Sequence, residues 1–224
     1  MFSGVAGRDS GYHLSTVSVD VGAAGATSTG AETVWHQAGE WAFRQRSWLP
    51  VPLALILLVS RWWVTPGDLP VRMGISGVLI GEAIRMWTVR QIGVISRTRA
   101  ARRGPLIVTG PYRLVRNPIY VGNWFIWTGF TLASGLLWML PATWIVFGLQ
   151  YSAIVRWEER GLLAEHGEAY AAYMRRVARW LPGLPIPPVG GHLHSWNEVL
   201  FSERGTLGAI AAMTLLLAAK RLLL

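Results

Sequence analysis

The sequence predicts an all-α protein: a polytopic membrane helical bundle of four core transmembrane helices, a cytoplasmic amphipathic helix and a possible fifth C-terminal membrane helix. The stretch from Asn117 to Val155 carries no charged residue, which leaves room for two spans of about 20 residues each. Hydrophobic residues make up 52% of the 224-residue chain and charged residues only 15%, against about 25% in an average soluble domain. The net charge of +9 comes almost wholly from arginine, since Lys220 is the only lysine, and the arginines flank apolar segments. That placement fits anionic lipid headgroups, so membrane lipids and not nucleic acid are the expected partners.

The elements follow in order. The first 34 residues are rich in Gly, Ala, Ser and Thr and lack a basic stretch followed by an apolar core. They read as a mobile tail and not as a signal peptide. The chain divides into a flexible N-terminal tail (1–40), a membrane core (41–188) and a C-terminal extension with an apolar helix (189–224). A first span covers 48–64, with Arg61 snorkelling near its end and Trp62 and Trp63 in an interfacial belt. The run PGDLP at 66–70 turns the chain into a second span, 71–93. Glu82 and Arg85 lie three apart on one face of it and neutralise each other, more plausibly as a structural pair than a catalytic one. Gly77 and Gly81 form a GxxxG pair that permits close helix approach. The third and fourth spans cover 119–134 and 137–157, with a tight turn at Ala133–Gly135 and Pro141 tolerated in the first turn of the fourth.

Residues 158–179 read as an amphipathic helix, with Leu163, His166, Tyr170, Tyr173, Met174 and Val177 at helical spacing. Pro182, Pro185, Pro187 and Pro188 end it. The apolar stretch 206–219 is short, and spanning would put Lys220 and Arg221 on the wrong side, so an interfacial or re-entrant helix is expected. Arg90, Arg97, Arg99, Arg102, Arg103, Arg113 and Arg116 follow the second span, and Arg156, Arg160, Arg175, Arg176 and Arg179 follow the fourth. The opposite loops carry only Asp68 and Arg72, so both ends of the four-helix core face the cytoplasm. This describes a multi-pass integral protein of a bacterial plasma membrane.

The chain has no cysteine, which removes disulfides, thiolate catalysis and cysteine-ligated metals. His192 and His194 form an isolated HxH without a third ligand and read as polar loop residues, so no metal is expected. No GxGxxG follows a strand, which argues against a soluble dinucleotide-binding domain.

Two motifs are joined by the charge-free hairpin: LIVTGPYRLVRNPIYVG (Leu106–Gly122) and EERGLLAEHGEAYAAYMRRVARWLP (Glu158–Pro182). Together they resemble the isoprenylcysteine carboxyl methyltransferase and phospholipid N-methyltransferase superfamily, whose pattern is LVTxGPYxxxRHPxYxG, a hairpin, then EExxLxxxFGxxYxxY and a proline. The resemblance covers roughly 70–185, and the paired spacing makes it specific. It implies a pocket for S-adenosylmethionine, built from both motifs on the cytoplasmic side, with the methyl acceptor entering from the lipid.

The residue chemistry suits that reading. Gly104, Pro105, Gly110 and Pro111 keep the basic segment from forming one helix and leave backbone groups free for a nucleoside. Tyr112 and Tyr120 offer aromatic faces, Arg113, Arg116 and Asn117 can meet a carboxylate, and the adjacent Glu158 and Glu159 suit a cation. Taken singly, each is more often an interfacial anchor or a solvated helix start; the combined spacing reverses that. The resemblance assigns cofactor contacts to Leu106, Ile107, Gly110 and Tyr112 at the adenosine, and to Asn117, Pro118, Tyr120 and Glu158 at the amino-acid end. Arg156, Glu159 and Arg116 are the candidate catalytic residues.

The sequence departs from the pattern in three places. Asn117 stands where the family has histidine, His166 where it has phenylalanine before Gly167, and Ile154 where eukaryotic carboxyl methyltransferases place a substrate-contacting arginine, with Arg156 nearby. The acceptor is a lipid-like or small hydrophobic molecule: an isoprenylcysteine, a phospholipid amine, a quinone-like lipid or a small thiol. Two competing readings are a membrane NADPH-dependent reductase of the sterol-reductase type and a non-enzymatic membrane scaffold or sensor.

The arginine asymmetry generates one prediction. Cysteines introduced at Gly67 and Ser134 should react with an impermeant thiol reagent applied to the outer face; reaction of both from the cytoplasmic side alone would contradict the topology.

Overall fold

A computed structural model describes residues 30–60, 67–93, 105–187 and 193–223. Arg61, Trp62, Trp63, Arg97, Arg99, Arg102, Arg103, Gly104 and His192 lie outside the described residues. Among the described residues six α-helices follow in order: α1 (Gly30–Arg44), α2 (Val51–Val59), α3 (Asp68–Ile92), α4 (Pro118–Ala133), α5 (Leu140–Arg176) and α6 (Trp196–Leu223). Short 3-10 turns occupy Gly110–Arg113 and Leu137–Met139. Among the described residues the only β-type pairing is an isolated bridge between Val115 and Ala178.

The closest helix pair is α3 with α4, and glycine is the reason. A Cβ on Gly81 would stand 2.5 Å from the Gly122 carbonyl oxygen, and one on Gly74 would stand 2.6 Å from that of Gly129. The two glycines on each helix are therefore spaced by seven and meet their partners in antiparallel register. Of the GxxxG pair read from the sequence, Gly81 makes the tight contact, while a Cβ on Gly77 would keep 3.3 Å from Gly129. Backbones this close gain packing that side chains would otherwise forbid.

Three expectations change against the structure. The N-terminal tail was expected to run to residue 40, but helix begins at Gly30. Its second half packs on α5: Phe43 stacks at 4.9 Å on Trp157, and a Cβ on Gly39 would collide with Ala153 and Trp157. The fourth span and the amphipathic helix were expected as separate elements; instead α5 runs unbroken through Glu158, because no glycine or proline interrupts residues 149–160. The break comes at Gly167, whose φ of 52° and ψ of −127° turn the chain.

The third change concerns α6. Its start is tied to the end of α3, where the His194 amide donates to the Arg90 carbonyl at 2.9 Å. Its end reaches the beginning of α3, where Arg221 pairs with Asp68 at 2.6 Å, and Lys220 donates to the Leu57 carbonyl at 2.8 Å. The helix thus runs antiparallel along all of α3, about 42 Å for its 28 residues. The stretch 206–219, expected to be short, is therefore part of a 28-residue helix packed along the bundle. The two cations that argued against spanning are met by a carboxylate and by an open carbonyl at the end of α2. Among the described residues, α5 and α6 are the helices long and apolar enough to cross a membrane.

A buried polar cluster ties α6 to the core. Arg85 donates to Asn123 Oδ1 and Glu203 Oε2, each at 2.5 Å, and to Thr206 at 3.1 Å, with Glu82 3.5 Å from its Nε. One guanidinium so joins α3, α4 and α6, and the Glu82–Arg85 pair read from the sequence is the root of a larger network. On the outer faces Leu79, Ile145, Leu149 and Leu215 are exposed, an arrangement that suits contact with lipid. Ser134 is buried, whereas Trp138 on the same turn is exposed and is the better position for thiol labelling.

The α3–α4 contact yields a stability prediction. Gly81→Ala drives a methyl into backbone that cannot retreat, at a cost of about 1–3 kcal/mol, whereas Gly208→Ala meets nothing within 4 Å. Thermal unfolding in detergent should fall clearly for Gly81→Ala and stay level for Gly208→Ala; equal melting points would refute the close approach.

Candidate cofactor site

Beyond Gly93, where α3 ends, the chain is next described at Pro105 and runs as an extended segment to the 3-10 turn at Gly110–Arg113. Gly110 has a φ of 56°, and the Gln91 side chain fills the space a Cβ would take. Thr109 donates to that same Gln91 at 2.7 Å, so the end of α3 shapes the turn. The turn then meets the segment after α5 along a line of hydrogen bonds. Arg116 N donates to the Ala178 carbonyl at 2.9 Å, Gly183 N to Leu114 at 3.2 Å, and Arg113 Nε to Ile186 at 2.6 Å. The Tyr173 hydroxyl donates to the Tyr112 carbonyl at 2.8 Å. Burial, ahead of the neighbouring Tyr112 and Tyr170, pushes the Tyr173 phenol up, so it stays a neutral donor beyond the Gly167 kink.

Behind this seam lies Glu159, 5% exposed. Its carboxylate sits 3.0 Å from Arg116 Nε and 2.5 Å from a terminal nitrogen of Arg179. The Asn117 amide donates to it at 3.4 Å and to the Arg179 carbonyl at 3.4 Å. Arg116 also donates to the Met174 carbonyl at 2.8 Å. One carboxylate therefore locks the first motif to the second.

In front of the seam is a cleft. It is lined by Ile92 and Pro105, by Leu106, Ile107, Tyr112, Arg116 and Asn117 of the first motif, and by Glu158, Leu162, His166, Tyr170 and Tyr173 of α5. Of the residues named from the sequence, the cleft brings together Leu106, Ile107, Tyr112, Arg116, Asn117 and Glu158. It does not include Gly110, which is covered by Gln91; Pro118, which is buried in the first turn of α4; or Tyr120, which stacks on Tyr151 at 4.9 Å in the core. Glu159 is turned to the seam, and exposed Arg156 lies over the Trp35 ring at 4.6 Å. Ile92, Pro105, Leu162, His166, Tyr170 and Tyr173 were not named as site residues. The i, i+4, i+8 spacing of Glu158, Leu162 and His166 could have indicated that they share one helical face; for Ile92 no local signal exists.

Residues 70–169 match the family model of phospholipid methyltransferases. This segment belongs to the phospholipid methyltransferase family. It runs from the first turn of α3 through the Gly167 kink, so the family region holds the α3–α4 pair, the first motif and Glu158. Two curated proteins resemble the chain over a longer stretch. The cobalt-zinc-cadmium resistance protein CzcN of Cupriavidus metallidurans is 30% identical over 155 residues, which is 67% of this chain and 66% of that protein. The nickel-cobalt-cadmium resistance protein NccN of Alcaligenes xylosoxydans xylosoxydans is 27% identical over 157 residues, 67% of each. The chain thus spans about two thirds of the curated relatives it matches, and their names give no reaction or substrate. No solved structure matches the chain.

Glu159 and Arg156 give opposite expectations. Glu159→Gln leaves Arg116 and Arg179 without their shared partner and should destabilise the ligand-free protein by on the order of 2–4 kcal/mol, since Arg179 is partly exposed. Arg156→Ala should leave the melting point within a degree or two. A Glu159→Gln protein as stable as the parent would remove the seam from the account.

Proposed function

We propose that the protein is a multi-pass integral membrane methyltransferase that takes its methyl group from S-adenosylmethionine and passes it to a lipid-like or membrane-delivered acceptor. The observation that carries this is Glu158: it lines the cleft between the two family motifs and makes no hydrogen bond or ion pair among the described residues. A half-buried carboxylate without a cation is costly unless a ligand supplies one. The structural alternative is pairing with Arg156 or Arg160, but Arg156 lies over the Trp35 ring at 4.6 Å, and Arg160 is exposed with an interaction of its own.

The donor set fits the cofactor. S-adenosylmethionine would supply a methyl group activated by a sulfonium, together with an amino group, a carboxylate and an adenosine. Glu158 offers a carboxylate for a positive centre. Tyr112 and Tyr170 offer ring faces, and Leu106, Ile107 and Leu162 offer apolar surface that excludes water. Methyl transfer is a direct displacement, so holding the partners in line and dry is what these residues contribute. Arg116 and Asn117 line the cleft from fixed positions, because Glu159 holds both. Their reading as direct carboxylate ligands therefore gives way to one in which they shape the wall. The cleft lies at the end of α3 that carries Arg90 and faces the cytoplasm in the orientation the arginines favour.

Two measurements test the proposal. S-adenosylhomocysteine should raise the melting point of the detergent-solubilised protein, and NADPH should not; stabilisation by NADPH alone would favour a reductase. Glu158→Gln keeps the shape and removes the charge. It should fold normally and lose about 2–4 kcal/mol of S-adenosylhomocysteine binding by calorimetry. A stable Glu158→Gln protein with unaltered nucleotide affinity would overturn the assignment.

A further inference from the structure

The polar side chains of the cleft are mostly spoken for. Arg116 is held by Glu159 and the Met174 carbonyl, Asn117 by Glu159 and the Arg179 carbonyl, and Tyr173 by the Tyr112 carbonyl. Tyr112 and Tyr170 have interactions of their own. Glu158 and His166 are the lining side chains that make no hydrogen bond or ion pair among the described residues. They lie eight residues apart on α5 with Leu162 midway, so the helix sets them about 12 Å apart along its axis. His166 is half-buried and immediately precedes Gly167, where positive φ ends the straight run of the helix. The cleft thus has an anionic end, an apolar middle and an imidazole end.

We infer that His166 hydrogen-bonds the nucleoside of the cofactor, and that the cofactor lies along α5 with its amino-acid end at Glu158 and its adenosine toward the Gly167 kink. This rests on the cofactor reading above, including the amino-acid end at Glu158, and adds a nucleoside-binding residue and the direction of the adenosine along α5. A neutral imidazole carries one donor and one acceptor, which matches the ribose hydroxyls or the polar edge of adenine. The ammonium end carries a full positive charge, which the Glu158 carboxylate answers better than a neutral ring. The apolar middle at Leu162 falls where the sulfur joins the two halves, away from any fixed anion that would hold the sulfonium in its ground state.

The orientation is testable by fragments, with binding as the readout. The full-length protein in detergent is titrated with S-adenosylhomocysteine and with 5′-methylthioadenosine, which has the nucleoside and the thioether but no amino-acid end. His166→Phe should weaken both by about three- to tenfold, the range of one net hydrogen bond, and Glu158→Gln should weaken S-adenosylhomocysteine alone. His166→Asn, which keeps polar atoms in a smaller side chain, should fall between and serves if the phenylalanine variant misfolds. Unchanged affinity for 5′-methylthioadenosine in both His166 variants would overturn the inference while leaving the cofactor reading intact. Loss of 5′-methylthioadenosine binding in Glu158→Gln, with His166→Phe unaffected, would reverse the orientation and equally overturn it. If the parent protein binds neither compound, the cofactor reading itself fails, and this inference with it.

Discussion

Glu159 holds the functional end of this protein together. A carboxylate 5% exposed would be costly to keep ionised without partners, and it has Arg116 at 3.0 Å and Arg179 at 2.5 Å. Those partners belong to different parts of the chain. Arg116 ends the irregular part of the first motif, Arg179 follows the kinked end of α5, and Asn117 caps the start of α4. Once these groups converge on one carboxylate, the backbone bonds from Arg116 to Ala178 and from Gly183 to Leu114 fall into register. The cleft is the other side of that seam. In its wall Arg116 is already engaged by Glu159, and Glu158, the adjacent residue, lines the cleft. Two neighbouring carboxylates on a helix point about 100° apart, so one can be structural and the other available.

The bundle behind the site is organised by a second buried charge, Arg85. It gathers Glu203, Asn123 and Thr206 from two other helices and so fixes α6 against the family segment. In apolar surroundings such a network is strongly directional, because each polar atom must find a partner inside the protein. The glycine contacts between α3 and α4 let Arg85 and Asn123 come within reach, since Gly122 lies directly against the Arg85 stem. Close backbone packing and polar bonding are therefore one device in this bundle. The exposed apolar faces of α5 and α6 are left for lipid.

The sequence made the helical class, the charge-free hairpin and the pairing of the two motifs legible, because each is local: uncharged length, turn residues and fixed spacing. It also marked Glu82 with Arg85 by their helical offset. Some features needed the third dimension. Arg85 meets Glu203 across 118 positions, a distance no periodicity reports. Lys220 and Arg221 look wrongly placed at the end of an apolar helix until Leu57 and Asp68 are seen beside them. At the site, Glu158 and Glu159 are indistinguishable as letters, and only their directions separate the carboxylate that lines the cleft from the one in the seam. Tyr120 and Pro118 sit inside the motif but turn into the core, because the start of α4 must pack before it can present anything. His166 was visible as a departure from the family pattern, yet its place in the cleft followed only from the continuity of α5.

The central claim is that both motifs form one cofactor cleft, and hydrogen exchange tests it most directly. Amide exchange would be followed by mass spectrometry on the full-length protein with and without S-adenosylhomocysteine. The account predicts that the nucleotide slows exchange in two separate stretches at once, around 106–117 and around 158–173, and leaves the α6 amides near Asp68 unchanged. Protection of only one motif, or protection confined to the opposite end of the bundle, would contradict it.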